Sequence, residues 1–244
     1  MQIKRYSGIT LVELMLSMSL STLLIMTFIG FYHQVQQQNK QILLRLQLQQ
    51  QVHNLLKLIA KDLKRAGFRA VNEKVLASKE GSNFFLFEQP TEINAVAIHS
   101  TTGNEQDCIL FFYDLNADGC LGKHRSGRCV VDQQNRSKEI RNELFGYRKQ
   151  HQQLQSWLTY RTAVNDRCYG SDCKSYLQAP ICQQNGGWVG LLDEQTYQVH
   201  SLKFNWLGET GIEVYLKMGL RHYPELIYQA QIVVPLLNQS RLEK

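Results

Sequence analysis

The apolar positions of this chain first form one long, nearly uninterrupted run. Residues 9–32 are mostly Leu, Met, Ile, Phe, Thr and Ser, and after Glu13 the next Lys, Arg, Asp or Glu is Lys40. These 24 residues are enough to cross a hydrocarbon core as a helix, which needs about 20. Lys4 and Arg5 precede the run, and by the positive-inside rule they keep the N-terminus in the cytoplasm. The pattern predicts a single-pass membrane protein with most of its chain on the outer side.

Beyond this run the periodicity becomes that of an amphipathic helix. No Pro or Gly follows Gly30 until Gly67, and Lys64 and Arg65 suit the negative end of a helix dipole. We therefore predict a continuous helix whose second half, residues 33–67, packs against a folded domain. A coiled coil is the competing interpretation, but its heptads are irregular. Apolar residues recur at helical steps at Val35, Ile42, Leu48, Val52, Leu55, Leu56, Ile59, Leu63 and Ala66.

Residues 68–244 form a region large enough for one domain with a sizeable core. Runs of aromatic and β-branched residues between polar turns predict strands, and no clear amphipathic helix follows Gly67. The pattern predicts an α+β fold, in which an antiparallel sheet lies over the second half of the long helix. The predicted strands are 84–87, 95–99, 108–115, a hairpin of 139–149 and 154–162, and a closing meander of 199–207, 211–220 and 227–236.

Glu13 stands in the first turn of the apolar helix, where a carboxylate is costly. Insertion scales assign roughly 2.5–3.5 kcal/mol to such a charge at the bilayer centre, so a functional role is the default hypothesis. A cleaved secretory signal is the alternative for the whole segment. That alternative predicts a small-x-small cleavage site after the apolar run, and the sequence continues there as helix instead.

The stretch Gly8-Ile9-Thr10-Leu11-Val12-Glu13-Leu14, after a short basic leader, resembles the N-terminal signal of type IV pilins and type II secretion pseudopilins. The resemblance implies that a prepilin peptidase cuts between Gly8 and Ile9 and methylates the new N-terminus. Ile9 is a small departure, since Phe is commonest there. The family architecture is the α+β arrangement predicted above. The implied organisation is a leader peptide (1–8), a transmembrane half-helix (9–32), a periplasmic half-helix (33–67) and a periplasmic β-rich domain (68–244).

The resemblance also implies a role for the charge on Glu13. Cleavage creates an α-amine on Ile9 at the membrane edge, and in a bundle of such helices Glu13 can face the amine of a neighbouring subunit. Opposite charges together are tolerable where each alone is unfavourable. Glu13 is then an assembly residue that sets the axial offset of a new subunit. The alternative is a carboxylate that merely reaches the lipid headgroups.

Six cysteines, an even number, lie after the helix. In an exported domain an even number predicts a disulfide framework, and six cysteines allow fifteen connectivities. Cys120 and Cys129 flank a short glycine-containing loop and are the predicted pair. A zinc site is less favoured, because the C-x₄-C-x₈-C spacing lacks a nearby histidine. The remaining cysteines, whose partners the sequence leaves open, are Cys108, Cys168, Cys173 and Cys182.

The sequence also raises the hypothesis of a calcium loop. Asp114, Asn116 and Asp118 fall at positions 1, 3 and 5 of the calcium-loop pattern, and Gly119 at position 6. Position 12 is Arg125, where a bidentate Glu is required. A tight turn after a strand explains the same residues equally well. Both interpretations stay open.

The sequence contains no recognisable catalytic motif. The G-x-S-x-G, P-loop and H-E-x-x-H patterns are absent, and seven histidines are scattered without site-like spacing. We therefore predict that the chain is not an enzyme. A membrane-tethered enzyme is the alternative, and it requires a pocket with converging polar groups.

A basic loop raises a separate interpretation, contact with DNA or another phosphate. It contains Lys123, His124, Arg125 and Arg128. The net charge of +6 includes two leader charges, so it selects no partner. A solvated loop is the commoner explanation of such residues.

The size of the chain and the stretch "KDLKRAGF" resemble a subgroup of minor pilins, the PilW or prepilin-peptidase-dependent protein B group with the J-type pseudopilins. The ending "VVPLLNQ" departs from it, since Arg-Asn is common there. The resemblance implies a subunit of the inner membrane that, with other minor and major pilins, helps initiate a type IV pilus. The alternatives are a J-type pseudopilin of type II secretion and a DNA-binding or adhesive pilus component.

Overall fold

A computed structural model describes residues 10–70, 88–89, 92–93, 95–103, 105–124, 129–131, 134–157, 176, 178–208 and 210–238. The chain divides between Gln47 and Leu48 into two units, which are described separately. The predicted strand 84–87 lies outside the described residues, as do the leader, the Gly8–Ile9 bond, Cys168 and Cys173.

One helix, α1 (Leu11–Leu63), runs through the first unit and into the second. In the first unit its apolar side chains from Leu11 to Tyr32 are exposed, and the helix is long and apolar enough to cross a membrane. The predicted long helix is confirmed, but it ends at Leu63 rather than Ala66. The chain leaves the helix through turns at 64–67 and a left-handed Gly67 (φ 78°), a conformation common just after a helix.

In the second unit α1 buries a single face. Its spacing of three and four residues is that of one helical stripe. Val35 and Ile42, which the pattern assigned to this stripe, belong to the first unit, where Ile42 is 56% exposed. The buried face is therefore shorter than predicted. Its residues are Leu48, Val52, Leu55, Leu56, Ile59, Ala60 and Leu63.

The closing meander is observed as predicted, as a three-stranded antiparallel sheet in which each strand pairs with the next along the chain. Alternate side chains of its central strand are buried, including Ile212, Val214, Leu216 and Met218, which is the period-two pattern of a half-buried strand. The strands are β10 (Tyr197–Leu207), β11 (Gly211–Leu220) and β12 (Tyr223–Pro235).

A second antiparallel sheet has five strands, which lie side by side in their order along the chain. The prediction that the strands form a single sheet is therefore wrong. The two sheets meet through isolated backbone bonds, from Phe204 N to Gln106 O (2.9 Å) and from Val199 N to Gln152 O (2.7 Å). The strands are β3 (Val96–His99), β4 (Cys108–Phe112), β7 (Leu144–Gln150), β8 (Gln153–Trp157) and β9 (Trp188–Gly190).

The predicted hairpin is present as β7 and β8, joined at His151 and Gln152. Both turn residues have positive φ (49° and 64°), as a two-residue hairpin turn requires. The first strand begins later than predicted, at Leu144, because Ile140–Glu143 form a 3-10 helix. The remaining short elements are β1 (Glu88–Gln89), β2 (Glu92–Ile93), β5 (Val130–Val131), β6 (Gln134–Asn135) and α2 (Ala179–Gln183).

The five-stranded sheet is covered on both faces. On the helix face, Tyr147 Oη donates to Asp62 Oδ2 (2.5 Å) and the Arg65 guanidinium lies over the Tyr113 ring. On the loop face, the side chains of β4 and β7 contact short loops. That cluster contains Cys108, Leu110, Phe112, Cys120, Leu121, Cys129, Ile140, Leu144, Trp157, Tyr176, Cys182 and Trp188. A helix over antiparallel sheets confirms the predicted α+β class.

Candidate functional site

Glu13 closes a capping box at the start of α1. Its Oε2 accepts hydrogen bonds from Thr10 N (3.0 Å) and Thr10 Oγ1 (3.1 Å), and Glu13 N donates to Thr10 Oγ1 (3.3 Å). Thr10 is thus the N-cap, and Glu13 is the third helical residue. This reciprocal pair satisfies two backbone N–H groups that have no partner within the helix. The spacing Thr-x-x-Glu is the sequence signal of a capping box.

The other polar side chains between Leu11 and Phe31 are hydroxyls, and all of them bond to the helix itself. Each donates to a backbone carbonyl three or four residues earlier, at 2.7–2.9 Å. Such back-bonding removes free donors from a helix in hydrocarbon. Glu13 is therefore the one ionisable side chain of this apolar stretch. The hydroxyls belong to Ser17, Ser19, Ser21, Thr22 and Thr27.

The predicted processing site, Gly8 and Ile9, lies outside the described residues. The N-cap at Thr10 lies two residues after Gly8. Cleavage between Gly8 and Ile9 remains a prediction from the sequence.

The candidate calcium loop has the contacts of a tight turn. Asp114 Oδ2 accepts hydrogen bonds from Ala70 N (3.1 Å) and Gly119 N (2.7 Å), and its Oδ1 from Asp118 N (3.2 Å). Asn116 Oδ1 also accepts from Asp118 N, and Asp118 Oδ1 from Cys120 N. Within the part of the chain that the structure describes, no three His, Cys, Asp or Glu side chains are grouped for a metal. The turn alternative fits these contacts.

Glu143, which falls in the predicted strand 139–149 and has no predicted role, accepts hydrogen bonds from the backbone of the same loop. Its Oε1 accepts from Leu115 N (3.0 Å) and Asn116 N (3.4 Å), and its Oε2 from Gly122 N (2.6 Å). The side chain is 3% exposed. Burial, aided by the charge of Asp114 and opposed by these three hydrogen bonds, raises the pKa of Glu143 to about 7.

Two disulfides lie on the loop face of the five-stranded sheet. Cys120 is bonded to Cys129, the predicted pair, and Cys108 is bonded to Cys182 across 74 residues. All four half-cystines are at most 2% exposed. The first disulfide closes the loop that Glu143 holds. The second fixes the segment containing α2 to the strand β4.

Arg148 joins the same segment to β7. Its Nη1 donates to the carbonyls of Cys182 (2.6 Å) and Gln184 (2.9 Å), its Nε donates to Gln155, and its guanidinium lies 4.4 Å from the centroid of the Trp188 ring. The residue is 1% exposed. Burial lowers the pKa of Arg148 to about 10, so it stays charged at neutral pH. These hydrogen bonds and the ring contact offset the cost of burying a cation.

The basic loop is only partly described. Lys123 Nζ forms an ion pair with Glu139 Oε2 (2.6 Å), and its backbone bridges to Lys138. Arg125 and Arg128 lie outside the described residues. DNA contact therefore gains no support from Lys123, whose charge is already paired.

Comparison with known proteins gives a family and a relative. A family model described as prepilin peptidase-dependent protein B matches residues 41–236. An uncharacterized protein of Haemophilus influenzae (strain ATCC 51907 / DSM 11121 / KW20 / Rd) is 41% identical over 201 residues, which are 82% of this chain and 83% of the relative. No solved structure matches the chain.

Proposed function

Because the chain belongs to the prepilin peptidase-dependent protein B family, a family of pilin-like proteins, we propose that it is a minor pilin that helps initiate or prime assembly of a type IV pilus. In this proposal prepilin peptidase cleaves after Gly8. The mature chain is a structural subunit and not an enzyme.

The capping box of Glu13 is the observation that carries the proposal. A carboxylate at the edge of a membrane helix is costly unless it is paired. Glu13 is exposed, and its hydrogen bonds come from Thr10 of its own chain. No cation among the described residues contacts it. We assign its counter-charge to the Ile9 α-amine of a neighbouring subunit, which cleavage after Gly8 would create.

Two separate parts of the chain support the proposal. The family match covers residues 41–236, whereas the pilin-like motif is Gly8 to Leu14. Neither observation depends on the other, and both indicate a substrate of prepilin peptidase. The proposed location is the inner membrane, with residues 33–244 in the periplasm and in the pilus after assembly. The proposed partners are other minor and major pilins.

The N-terminus of the protein purified from membranes tests the processing step. We expect a chain that begins at Ile9, with one methyl group on its amine, by intact-mass analysis. Gly8→Leu is the control, because a large side chain at the cleavage position should leave the chain at full length. A wild-type N-terminus beyond Phe31 would identify a secretory signal and contradict the proposal.

Replacing Glu13 by Gln tests the assembly step. Gln also closes a capping box, so the helix keeps its N-terminal hydrogen bonds and only the charge is lost. We expect normal cleavage and folding, with a reduced number of filaments by electron microscopy and fewer cross-links to other pilins. The variant must be the only copy in the cell. Wild-type counts and cross-links would mean that Glu13 does not set the register.

A further inference from the structure

The strand β12 forms one edge of the three-stranded sheet, and among the residues that the structure describes none pairs with its outer side. The opposite edge strand, β10, bonds to other parts of the domain, through Phe204 N to Gln106 O and Val199 N to Gln152 O. β12 is also long, with 13 residues, whereas the edge strands of the five-stranded sheet have four and three. β12 is therefore the long open edge of the described part of the domain.

One backbone hydrogen bond fixes which residues of β12 turn their backbone groups outward. Leu236 N donates to Thr210 O (2.7 Å), so Leu236 faces β11, and the same antiparallel register runs without a shift from Pro235 to Ile227. Backbone groups of successive residues alternate between the two sides of a strand. Pro235 faces outward and has no N–H, which ends the row of outward donors. The outward donors and acceptors belong to Ile227, Gln229, Gln231 and Val233.

β12 lacks the features that usually protect an edge strand. Natural edges are short, bulged or charged, yet residues 226–235 contain no charged side chain, and the register from Ile227 to Pro235 has no bulge. Ile227 and Val233 are 43% and 56% exposed. Such an edge binds an extended chain through backbone hydrogen bonds, while alternate side chains give specificity. The matching strand is uncharged, because a charge on it would find no opposite charge along β12.

We propose that the outer edge of β12 binds an uncharged, extended segment of another protein. The segment adds as an antiparallel strand, with apolar residues opposite Ile227 and Val233. It extends the three-stranded sheet to four strands and covers the outward backbone groups of β12.

A second copy of this chain does not fit the edge. His53 of α1 contacts Tyr228 (Nε2 to Oη, 3.0 Å), and the turn after α1 bonds to Asn238, so α1 and β12 run in the same direction. A second β12 added antiparallel would bring an α1 of opposite direction. Two α1 helices inserted N-terminus first into one membrane run in the same direction instead. This step rests on the membrane topology of the proposed function.

A peptide with the sequence of β12 itself tests the edge, because an isolated strand carries no α1. "ELIYQAQIVVP" (225–235) is nearly symmetric about Ala230, so an antiparallel copy places apolar residues opposite apolar ones and Gln opposite Gln. Lysines added beyond both ends keep the peptide soluble. We expect the labelled peptide to bind the detergent-solubilised full-length chain saturably, as measured by fluorescence anisotropy. Absence of binding would overturn the inference.

Two N-methylated peptides distinguish strand addition from unspecific apolar contact. Methylating the three N–H groups that face β12 should weaken binding about a hundredfold, since three hydrogen bonds are lost. Methylating the three that face away should leave the affinity within about twofold, because no hydrogen bond to β12 is lost. Equal affinities of the two peptides would overturn the inference. The two sets are residues 229, 231 and 233, and residues 228, 230 and 232.

Substitution in the chain gives the converse test. Gln231→Pro removes one outward N–H at a position where an edge strand tolerates Pro, and Gln231→Ala is the matched control that keeps it. We expect the affinity for the peptide to fall about tenfold with Pro and to stay unchanged with Ala. Equal affinities would contradict strand addition.

A photo-crosslinking amino acid in place of Gln231, in full-length chain in cells, identifies the partner. We expect a product with another protein, attached within a stretch that lacks Asp, Glu, Lys and Arg. A homodimer, attachment in a charged stretch or no product would overturn the choice of partner. These failures would leave the proposed function intact, because cleavage after Gly8 and filament number are measured separately.

Discussion

The two faces of the five-stranded sheet are covered by different means. On the helix face, Tyr147 donates to Asp62 of α1 and the Arg65 guanidinium lies over the Tyr113 ring, and α1 buries a stripe of apolar residues in the second unit. The loop face is covered by segments without periodic apolar residues. Two disulfides, Arg148 and Glu143 hold these segments in place. Covering segments that lack a repeating apolar pattern depend on specific bonds to stay in place on the sheet.

Removing the Cys108–Cys182 disulfide is the change with the largest expected effect. Chain entropy for a link across 74 residues predicts a loss of about 4.5 kcal/mol, and about 2.5 kcal/mol for the nine-residue link of Cys120 to Cys129. Denaturant unfolding of the detergent-solubilised double-serine variants measures both. Equal losses would mean that loop length does not determine how these disulfides stabilise the loop face.

Truncating Leu63 tests the helix face. The side chain is fully buried, so Leu63→Ala should lower the free energy of unfolding by about 3 kcal/mol. Leu58 lies on the same helix but is 41% exposed, and Leu58→Ala should cost less than about 1 kcal/mol. The same unfolding assay applies. A similar cost for both variants would show that α1 contributes no buried stripe here.

The pH dependence of stability tests Glu143. Its pKa rises from 4.5 unfolded to about 7 folded, so the folded state binds the proton more tightly. The resulting stabilisation is complete below pH 4.5 and is lost as the pH rises to about 7, by at most about 3 kcal/mol. Unfolding by urea at pH 5, 6, 7 and 8 measures the slope, which Glu143→Gln should flatten. An unchanged slope in the variant would assign it to another group.

Asn238 gives the smallest expected effect. Its Nδ2 donates to the carbonyls of Lys64 (3.1 Å) and Ala66 (3.4 Å) just after α1 ends. Asn238→Ala should therefore cost about 1 kcal/mol. Asn238→Asp should cost more, because it places a negative charge at the negative end of the helix dipole. If Asp stabilises the protein, the side chain does not act as a helix cap.

The sequence predicted those elements whose signals are local. The helix, the hairpin and the closing meander depend on periodicity within a dozen residues, and Cys120 and Cys129 are close in sequence. The pairing of Cys108 with Cys182 depends on a contact across 74 residues, which no local pattern encodes. Glu143 was assigned to a strand as part of the predicted hairpin strand 139–149. Its burial beneath the loop follows from tertiary packing alone.

Asn238 makes another long-range contact that no local sequence pattern encodes. It falls in the ending "VVPLLNQ", which we noted as a departure from the expected Arg-Asn. In the structure this asparagine donates to the turn that follows α1, 172 and 174 residues earlier in the chain. A comparison of endings could not reveal that contact, because the partner carbonyls lie far away in the sequence.

The nesting of the two disulfides has a consequence for how the chain matures. Cys120–Cys129 lies inside the loop that Cys108–Cys182 closes. In the proposed topology the domain enters the periplasm from the end that follows α1, so Cys108 and Cys120 are present together before Cys182 arrives. Oxidation in order of appearance therefore joins the wrong partners, and exchange by an attacking thiolate must correct them. The yield of native protein should accordingly depend on disulfide isomerisation as well as on oxidation.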